Sequence, residues 1–336
     1  MPSIPPQSLI VVTGITGYIA SHVGLAALQA GHRVRGTVRD LKRAEELRNA
    51  YAKQGVDITK LEFIVVDDIT SGTQLANAIK GVDGVAHVAL PGDLLDTSDD
   101  MPHRAVKAVV ALLQASANEP SIKRIVFTSS SVASYEPPAL FPEPVTDKNW
   151  NDVAFQAWEN ATAEDKTKPA WVWIRYAATK ILSEKAAWKW VEENKPPFDI
   201  VTILPNANFG PVLYGGARST VAWIHSFLKG DNEFTQLVGP QWFIDVRDDG
   251  RLHVAALTNP SLSGKRIWGV AEPTGWNQIL AILRKNFPDA NVAPDLVGEP
   301  GEPTKQKIEN TVATEALGGW IGLEQSLVDT GKSLGF

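Results

Sequence analysis

The chain has 336 residues, of which 44% are hydrophobic, so it has enough material for one large α/β domain or for a large domain with a smaller appendage. Its formal net charge is −6 and it has no block of basic residues, which argues against nucleic acid or an anionic membrane as the main partner and favours a small-molecule ligand. It contains no Cys, which excludes disulfides, thiol catalysis and thiolate metal sites.

The first eight residues, MPSIPPQS, have neither the charged nor the long apolar segment of a secretory signal peptide. No uncharged apolar run reaches the length of a membrane span. We therefore expect a cytoplasmic protein that binds no membrane. The six His show no HExxH or comparable spacing, so we expect no metal site.

An apolar run at residues 9–12 is followed by Gly14, Gly17 and apolar residues at helical spacing. The run predicts a strand buried on both faces of a parallel sheet. The order of strand, glycine turn and helix brings backbone N–H groups and the positive helix end to a phosphate, which favours a nucleotide pyrophosphate site. The spacing G-x-x-G-x-x-A differs from the fingerprint G-x-G-x-x-G, with Ala20 as the third small residue. A purely structural turn is the alternative.

Residues 33–40 predict a second strand, and a helix-prone run follows at 41–54. At the end of this strand in dinucleotide folds, an acidic residue binds the 2′-hydroxyl of NAD, whereas an Arg pairs with the 2′-phosphate of NADP. Arg39 occupies this place with Arg43 beyond it, which favours NADP(H). A solvated charge cluster is the alternative, and the neighbouring Asp40 keeps it open.

Three more strands are predicted at residues 61–68, 84–89 and 124–131. The repeated alternation of strand and helix predicts a Rossmann-type doubly wound parallel sheet, whose ligands bind outside the carboxyl ends of the strands. Asp68 lies at such an end, where it either accepts from the adenine amino group or caps the next helix. His87 is interpreted as a packed residue at a strand end rather than as a ligand.

Tyr176 opens a predicted amphipathic helix, and Lys180 lies four residues later on the same face. A Lys cation favours tyrosinate, so we expect it to lower the pKa of the phenol and make Tyr176 a usable acid or base. Three serines, residues 129–131, end the fifth strand at the edge where ligands bind. Between them and the helix, the long segment 135–173 is expected to line or cover a site.

The motifs TGITGYIA, FTSSS and YAATK, with LPNANFGP and FIDVRD further on, resemble those of the extended short-chain dehydrogenases/reductases. Within that family the chain looks like the fungal aldehyde and ketone reductases of methylglyoxal-reductase type and, more distantly, plant dihydroflavonol reductases. The resemblance spans nearly the whole chain. It implies a carbonyl reductase that uses NADPH and a catalytic set of Ser130, Tyr176 and Lys180.

The same resemblance implies where the cofactor is held. Gly14 to Ile19 would hold the pyrophosphate, the two Arg the 2′-phosphate, and Pro205 and Asn208 would lie by the nicotinamide. The full implied set is Gly14, Thr16, Gly17, Tyr18, Ile19, Arg39, Arg43, Asp68, Ile69, Val88, Ala89, Tyr176, Lys180, Pro205, Asn208 and Ser219.

After residue 205 the regular alternation weakens. We predict that residues 1–205 form the NADP(H)-binding domain with the Ser/Tyr/Lys site, and that 206–336 mostly form a smaller substrate-binding lobe with some return to the main sheet. Helices are predicted at 221–229, 250–257, 276–286 and 323–332, with strands near Ile244 and Ile267. The charged residues Asp245, Arg247 and Asp248 are interpreted as surface ion pairs rather than chemistry. The predicted apolar substrate pocket comprises Trp173, Trp223, Trp242 and Phe243.

The sequence thus favours hydride transfer to an aldehyde or ketone, with Tyr176 protonating the oxygen, Ser130 hydrogen-bonding it and Lys180 tuning Tyr176. Two alternatives stay open. An epimerase or dehydratase would be expected to carry an acidic residue where Arg39 lies, and a non-catalytic NADP-binding redox sensor would tend to lack the Tyr/Lys pair. Either a monomer or a homodimer is compatible with the sequence.

Overall fold

A computed structural model describes residues 3–92, 98–135, 143–298 and 301–336. The strands are β1 (Leu9–Val12), β2 (Arg33–Val38), β3 (Leu61–Val65), β4 (Gly84–His87), β5 (Arg124–Thr128), β6 (Asp199–Pro205), β7 (Ala207–Phe209), β8 (Trp242–Asp245), β9 (Arg266–Gly269) and β10 (Glu272–Pro273). Seven of them form a parallel sheet in the order β3-β2-β1-β4-β5-β6-β9. This order reverses at β1 and confirms the predicted Rossmann-type doubly wound fold.

The helices are α1 (Tyr18–Gln29), α2 (Leu41–Lys53), α3 (Gly72–Ile79), α4 (Met101–Ala117), α5 (Asp152–Glu159), α6 (Trp171–Asn194), α7 (Val221–Leu228), α8 (Val246–Thr258), α9 (Trp276–Asn286), α10 (Thr311–Leu317) and α11 (Leu323–Ser333). In the described parts of the chain, none of them combines the length and the apolar composition that a bilayer-spanning helix needs.

Both faces of the main sheet are covered, which is why β1 is an unbroken apolar run. Ile10 and Val12 point to one face, where they join a buried cluster with residues of α1, α2 and α8. Leu9 and Val11 point to the other face and join a cluster with residues of α3, α4 and α6. Because successive side chains of a strand alternate between faces, a strand covered on both sides must be apolar throughout.

The chain after residue 205 contributes to both parts of the fold. It forms a three-stranded sheet in the order β10-β8-β7, whose own core includes Phe209, Phe243 and Trp276. It also returns to the main sheet, because β9 pairs with β6, while Leu252 of α8 and Ala313 of α10 join the core beside α1. The second lobe therefore starts at the carboxyl edge of the main sheet, where ligands bind.

Two predicted boundaries near this edge are wrong. Strand β5 ends at Thr128, not at residue 131, because Ser131 begins a short 3₁₀ turn. Helix α6 begins at Trp171, five residues before Tyr176, and the buried indole of Trp171 donates to Asp99 Oδ1 over 3.0 Å. The catalytic pair predicted on α6 is thus held inside a long helix rather than at its first turn.

The ion-pair interpretation of the charges near residue 245 is confirmed, but their description as surface groups is wrong. Asp245 and Asp248 are fully buried. Asp245 caps α8 by accepting from the Arg247 backbone N–H over 2.8 Å, and its carboxylate also pairs with the Arg247 guanidinium. Arg247 in turn reaches Asp329 over 2.7 Å. The cluster therefore joins α8 to α11.

Candidate active site

The glycine turn after β1 is shaped for a close approach of backbone to ligand. Gly14 has a φ of +60°, and a Cβ there would lie 2.9 Å from Ala89 Cβ, so a side chain is excluded by strain and by space. Gly17 occupies the N-cap position of α1, and within the described residues no side chain caps this helix. A helix end without a side-chain cap, preceded by a glycine turn, is the arrangement that binds phosphate groups.

Thr13 ties this turn to the end of β4. Its hydroxyl oxygen accepts from the backbone N–H groups of Val88 (3.0 Å) and Ala89 (3.1 Å). Its proton is then directed to Nδ1 of His87, 3.2 Å away. Burial lowers the pKa of His87 to about 3, with the Lys180 cation adding to the effect, so the ring is neutral and can accept. His87 is a packed strand-end residue, as predicted.

The predicted adenosine-binding residues lie beyond β2 and β3. Arg39 and Arg43 are exposed, and Asp40 between them caps α2 by accepting from the Lys42 N–H over 2.9 Å. Asp68 accepts from the backbone and hydroxyl groups of Thr70, which holds the pKa of its carboxyl below the usual value. Ser71, not Asp68, caps α3, which leaves Asp68 at the exposed end of β3.

The three serines after β5 have different partners. Ser129 Oγ donates to Glu184 Oε2 over 2.6 Å and is buried. Ser130 is extended, with φ −161° and ψ 154°, and its side chain lies near enough to the Tyr176 phenol to act against the rise of its pKa. Ser131 is buried and begins the 3₁₀ turn. Of the three, Ser130 therefore stands beside Tyr176, on the opposite side of the chain from Ser129.

Lys180 is 7% exposed, and its Nζ donates to the Thr128 carbonyl over 2.9 Å. Burial lowers the pKa of Lys180 to about 8, an effect that Glu184 and Asp249 partly offset. Burial also raises the pKa of Tyr176, while the bond from Ser130 acts in the opposite direction. Burial is the larger of these two causes, so the pKa of Tyr176 lies above its usual value, against the expected lowering, and the phenol is protonated at neutral pH.

The amino-acid sequence matches one protein family over most of its length. The sequence profile described as the NAD dependent epimerase/dehydratase family covers residues 10–271, from β1 to the end of the β9 segment. The chain belongs to this family. It is the extended branch of the short-chain dehydrogenases/reductases, as the motifs predicted.

Relatives in this family include reductases of similar length. The chain is 32% identical to "Aldehyde reductase 2" of Sporidiobolus salmonicolor, with 97% of this chain and 96% of the relative covered. It is 36% identical to "Ketoreductase adrE" of Penicillium rubens, with 96% of each covered. Among solved structures, "Gre2 in complex with NADPH" from Candida albicans is 25% identical, with a TM-score of 0.81 and coverage of 97% of this chain and 98% of that chain.

In this family member, the chain after β6 lies against the glycine turn. Tyr18 donates from its hydroxyl to the Gly210 carbonyl over 2.8 Å, and Tyr214 donates to the Thr16 carbonyl over 2.5 Å. Each tyrosine thus donates from its own segment to a backbone carbonyl of the other, which joins the glycine turn to the chain after β7. Tyr214 was missed in the sequence, because its partner is 198 residues away and no local pattern marks it.

The two residues that are predicted to lie beside the nicotinamide are found where β6 leads into β7. Pro205 ends β6 and is buried. Asn208 in β7 is 2% exposed, and its Nδ2 donates to the Asn206 carbonyl over 3.2 Å. Its Oδ1 is buried without a hydrogen-bond partner among the described residues, which is costly unless a ligand supplies a donor. Ser219, the remaining predicted contact, is exposed, with a φ of +53° just before α7.

The four residues of the predicted substrate pocket have different surroundings in the structure. Trp173 lies beside Tyr176 and Trp223, with ring centroids 6.4 Å from each. Trp242 is 9% exposed and donates from its indole to the Gln306 carbonyl. The prediction that Phe243 lines the pocket is wrong. Phe243 has no exposed surface and stacks on Phe209 in the core of the second lobe, so it cannot line a pocket in this structure.

Proposed function

We propose that the protein is an NADPH-dependent carbonyl reductase that converts aldehydes or ketones to alcohols. Its family and the reductase names of its relatives make it an oxidoreductase. The observation that carries the proposal is the meeting of Ser130, Tyr176 and Lys180 at the carboxyl edge of the sheet, where Ser130 acts on the pKa of Tyr176 and Lys180 donates to the Thr128 carbonyl at the end of β5. A hydroxyl, a phenol and a buried amine in this order are the groups that proton transfer to a carbonyl oxygen needs.

The residues present fit a nicotinamide dinucleotide. The Gly14 turn and the start of α1, which no described side chain caps, suit the pyrophosphate. The unpartnered Oδ1 of Asn208 suits the carboxamide N–H of a nicotinamide. Arg39 and Arg43 suit a 2′-phosphate. Burial raises the pKa of Tyr214, and Arg43 is near enough to this tyrosine at the glycine turn to oppose that rise weakly. These matches support NADPH as the cofactor.

In the proposed reaction, NADPH held at this site would supply a hydride for the carbonyl carbon. Ser130 donates a hydrogen bond to the carbonyl oxygen and orients it toward Tyr176. Tyr176 then transfers its hydroxyl proton to that oxygen as the C–H bond forms, leaving tyrosinate and an alcohol. Because burial raises the pKa of Tyr176, the phenol is protonated before the reaction at neutral pH, as a proton donor must be. The Lys180 cation stabilises the tyrosinate that results.

The direct experiment is NADPH oxidation measured over a panel of carbonyl compounds. Because Trp173 lies beside Tyr176 and Trp223 lies beside Trp173, we expect turnover of small and medium aldehydes and ketones with aromatic or alkyl groups. A nucleotide sugar serves as the comparison substrate. Turnover of the nucleotide sugar without reduction of any panel member would favour an epimerase, and NADPH binding without any turnover would favour a sensor.

Cofactor preference gives a separate prediction. Arg39→Ala should raise the KM for NADPH by about tenfold and leave the KM for NADH nearly unchanged, because only the 2′-phosphate loses a charge-assisted partner. Arg33→Ala is the matched control, since Arg33 is exposed at the opposite end of the same strand. Equal losses with both cofactors would contradict the assignment of Arg39 to the phosphate.

A further inference from the structure

Glu184 is a buried carboxylate that the proposed reaction does not use. It lies on α6 one helical turn after Lys180 and is 4% exposed. Its Oε2 accepts from Ser129 Oγ over 2.6 Å, and its Oε1 accepts from Thr202 Oγ1 over 2.7 Å. Arg266 Nε donates to Oε1 over 2.8 Å. Both carboxylate oxygens of Glu184 therefore have hydrogen-bond partners.

Arg266 extends the network to the segment that follows the serines. Its Nη1 donates to Ser134 Oγ over 3.0 Å and to the Asn149 carbonyl over 2.5 Å. Its guanidinium lies 4.0 Å from the centre of the Trp150 ring. The Glu184–Arg266 pair therefore joins the catalytic helix, the end of β5, the start of β9 and part of the long segment before α6. A pair with partners on all sides has a defined geometry.

We propose that Glu184 is a positioning residue for the reaction, which acts by keeping the buried Lys180 amine in its cationic form beside Tyr176. The inference rests on the proposed function, because it needs Lys180 to assist proton transfer by Tyr176. Residues four apart on a helix are neighbours on its surface. Lys180 Nζ donates to the carbonyl of Thr128, and the next residue, Ser129, donates to Glu184, so the amine and the carboxylate face the same two residues at the end of β5. Ser129, Thr202 and Arg266 fix the carboxylate so that it cannot turn away to solvent.

Lys180 needs such a counter-charge because its surroundings oppose its charge. Burial lowers the pKa of Lys180 to about 8, and the other charged or titratable groups that act on it come from three elements. Glu184 on α6 and Asp249 on α8 favour the cation, Glu184 more strongly. His87 at the end of β4 is neutral and offers no compensation. Without Glu184, a larger part of Lys180 is deprotonated at neutral pH.

The test is the pH profile of kcat for Glu184→Gln, which keeps the size of the side chain and removes its charge. The wild-type enzyme should lose activity as the pH rises through about 8, where Lys180 gives up its proton. The variant should lose activity about one pH unit lower and recover most of its kcat at pH 6, where Lys180 is protonated again. A residue with a merely structural role would lower kcat by the same factor at every pH. Glu192→Gln, exposed on the same helix, is the control that should leave the profile in place.

A second readout does not depend on activity. Lysine side-chain NMR follows the titration of Lys180, whose signal is identified by its absence in Lys180→Met. Because Glu184→Gln leaves the buried Arg266 without its counter-charge, the double variant Glu184→Gln/Arg266→Gln is measured in parallel in case the single variant does not fold. A Lys180 titration at the wild-type pH in the folded variant overturns the inference. If that occurs while Tyr176→Phe is inactive, the proposed function stands; retained activity of Tyr176→Phe would refute the function itself.

Discussion

Tyr176→Phe should lower kcat by about 10²–10⁴-fold while leaving NADPH binding close to that of the wild type. The substitution removes the hydroxyl that donates the proton and keeps the ring, which packs edge-on against Trp173 at 6.4 Å. Since α6 extends five residues before Tyr176 and well beyond it, the helix has no reason to unfold. The measurements are kcat for the reduction of one carbonyl substrate and a fluorescence titration with NADPH.

Tyr214→Phe provides the contrasting control. It also removes one hydroxyl, but this one donates to the Thr16 carbonyl at the glycine turn. We expect NADPH binding to weaken about fivefold, the value of one neutral hydrogen bond, with kcat near that of the wild type. Reductase activity close to the wild-type level in Tyr176→Phe would contradict the role of Tyr176 as the proton donor.

The comparison of three serine variants gives the other large expected effect, which falls on Ser130 alone. Ser130→Ala should lower kcat by about 10²–10⁴-fold, because it removes the hydroxyl that orients the carbonyl oxygen and bonds Tyr176. Ser129→Ala and Ser131→Ala should cost far less. Ser129 donates to Glu184, and the carboxylate retains its bonds from Thr202 and Arg266 when that hydroxyl is lost.

The comparison requires kcat for all three variants on one substrate, with circular dichroism to establish that each is folded. The neighbouring positions make the test specific, because Ser130 is extended and points away from the side of Ser129, whereas Ser131 belongs to the 3₁₀ turn. An inactive Ser131→Ala enzyme together with an active Ser130→Ala enzyme would require the site to be rebuilt around Ser131.

The order of the elements could be predicted from the sequence because its signals are local. The apolar run at residues 9–12 indicated a strand covered on both faces, and its side chains do enter two separate cores. Gly14 and Gly17 marked the turn, and helix α9 has the predicted bounds of residues 276–286. Two element boundaries at the active-site edge differ from the prediction. Helix α6 begins at Trp171, whose indole donates to the distant Asp99, and the periodicity of the sequence does not show such a tertiary contact.

By itself, the sequence determined the Rossmann-type sheet, because hydrophobic period, glycine turns and helical spacing are properties of neighbouring residues. The family and the candidate catalytic set of Ser130, Tyr176 and Lys180 followed from the resemblance of its motifs to those of a known family. Only the tertiary structure decided how those groups are surrounded. Burial reversed the expected direction of the Tyr176 pKa, and Phe243 proved to be core rather than pocket. Glu184 met Arg266 across 82 residues. Such pairings are set by how crossovers bring distant strands and helices to one edge of the sheet, and a local pattern carries no record of them.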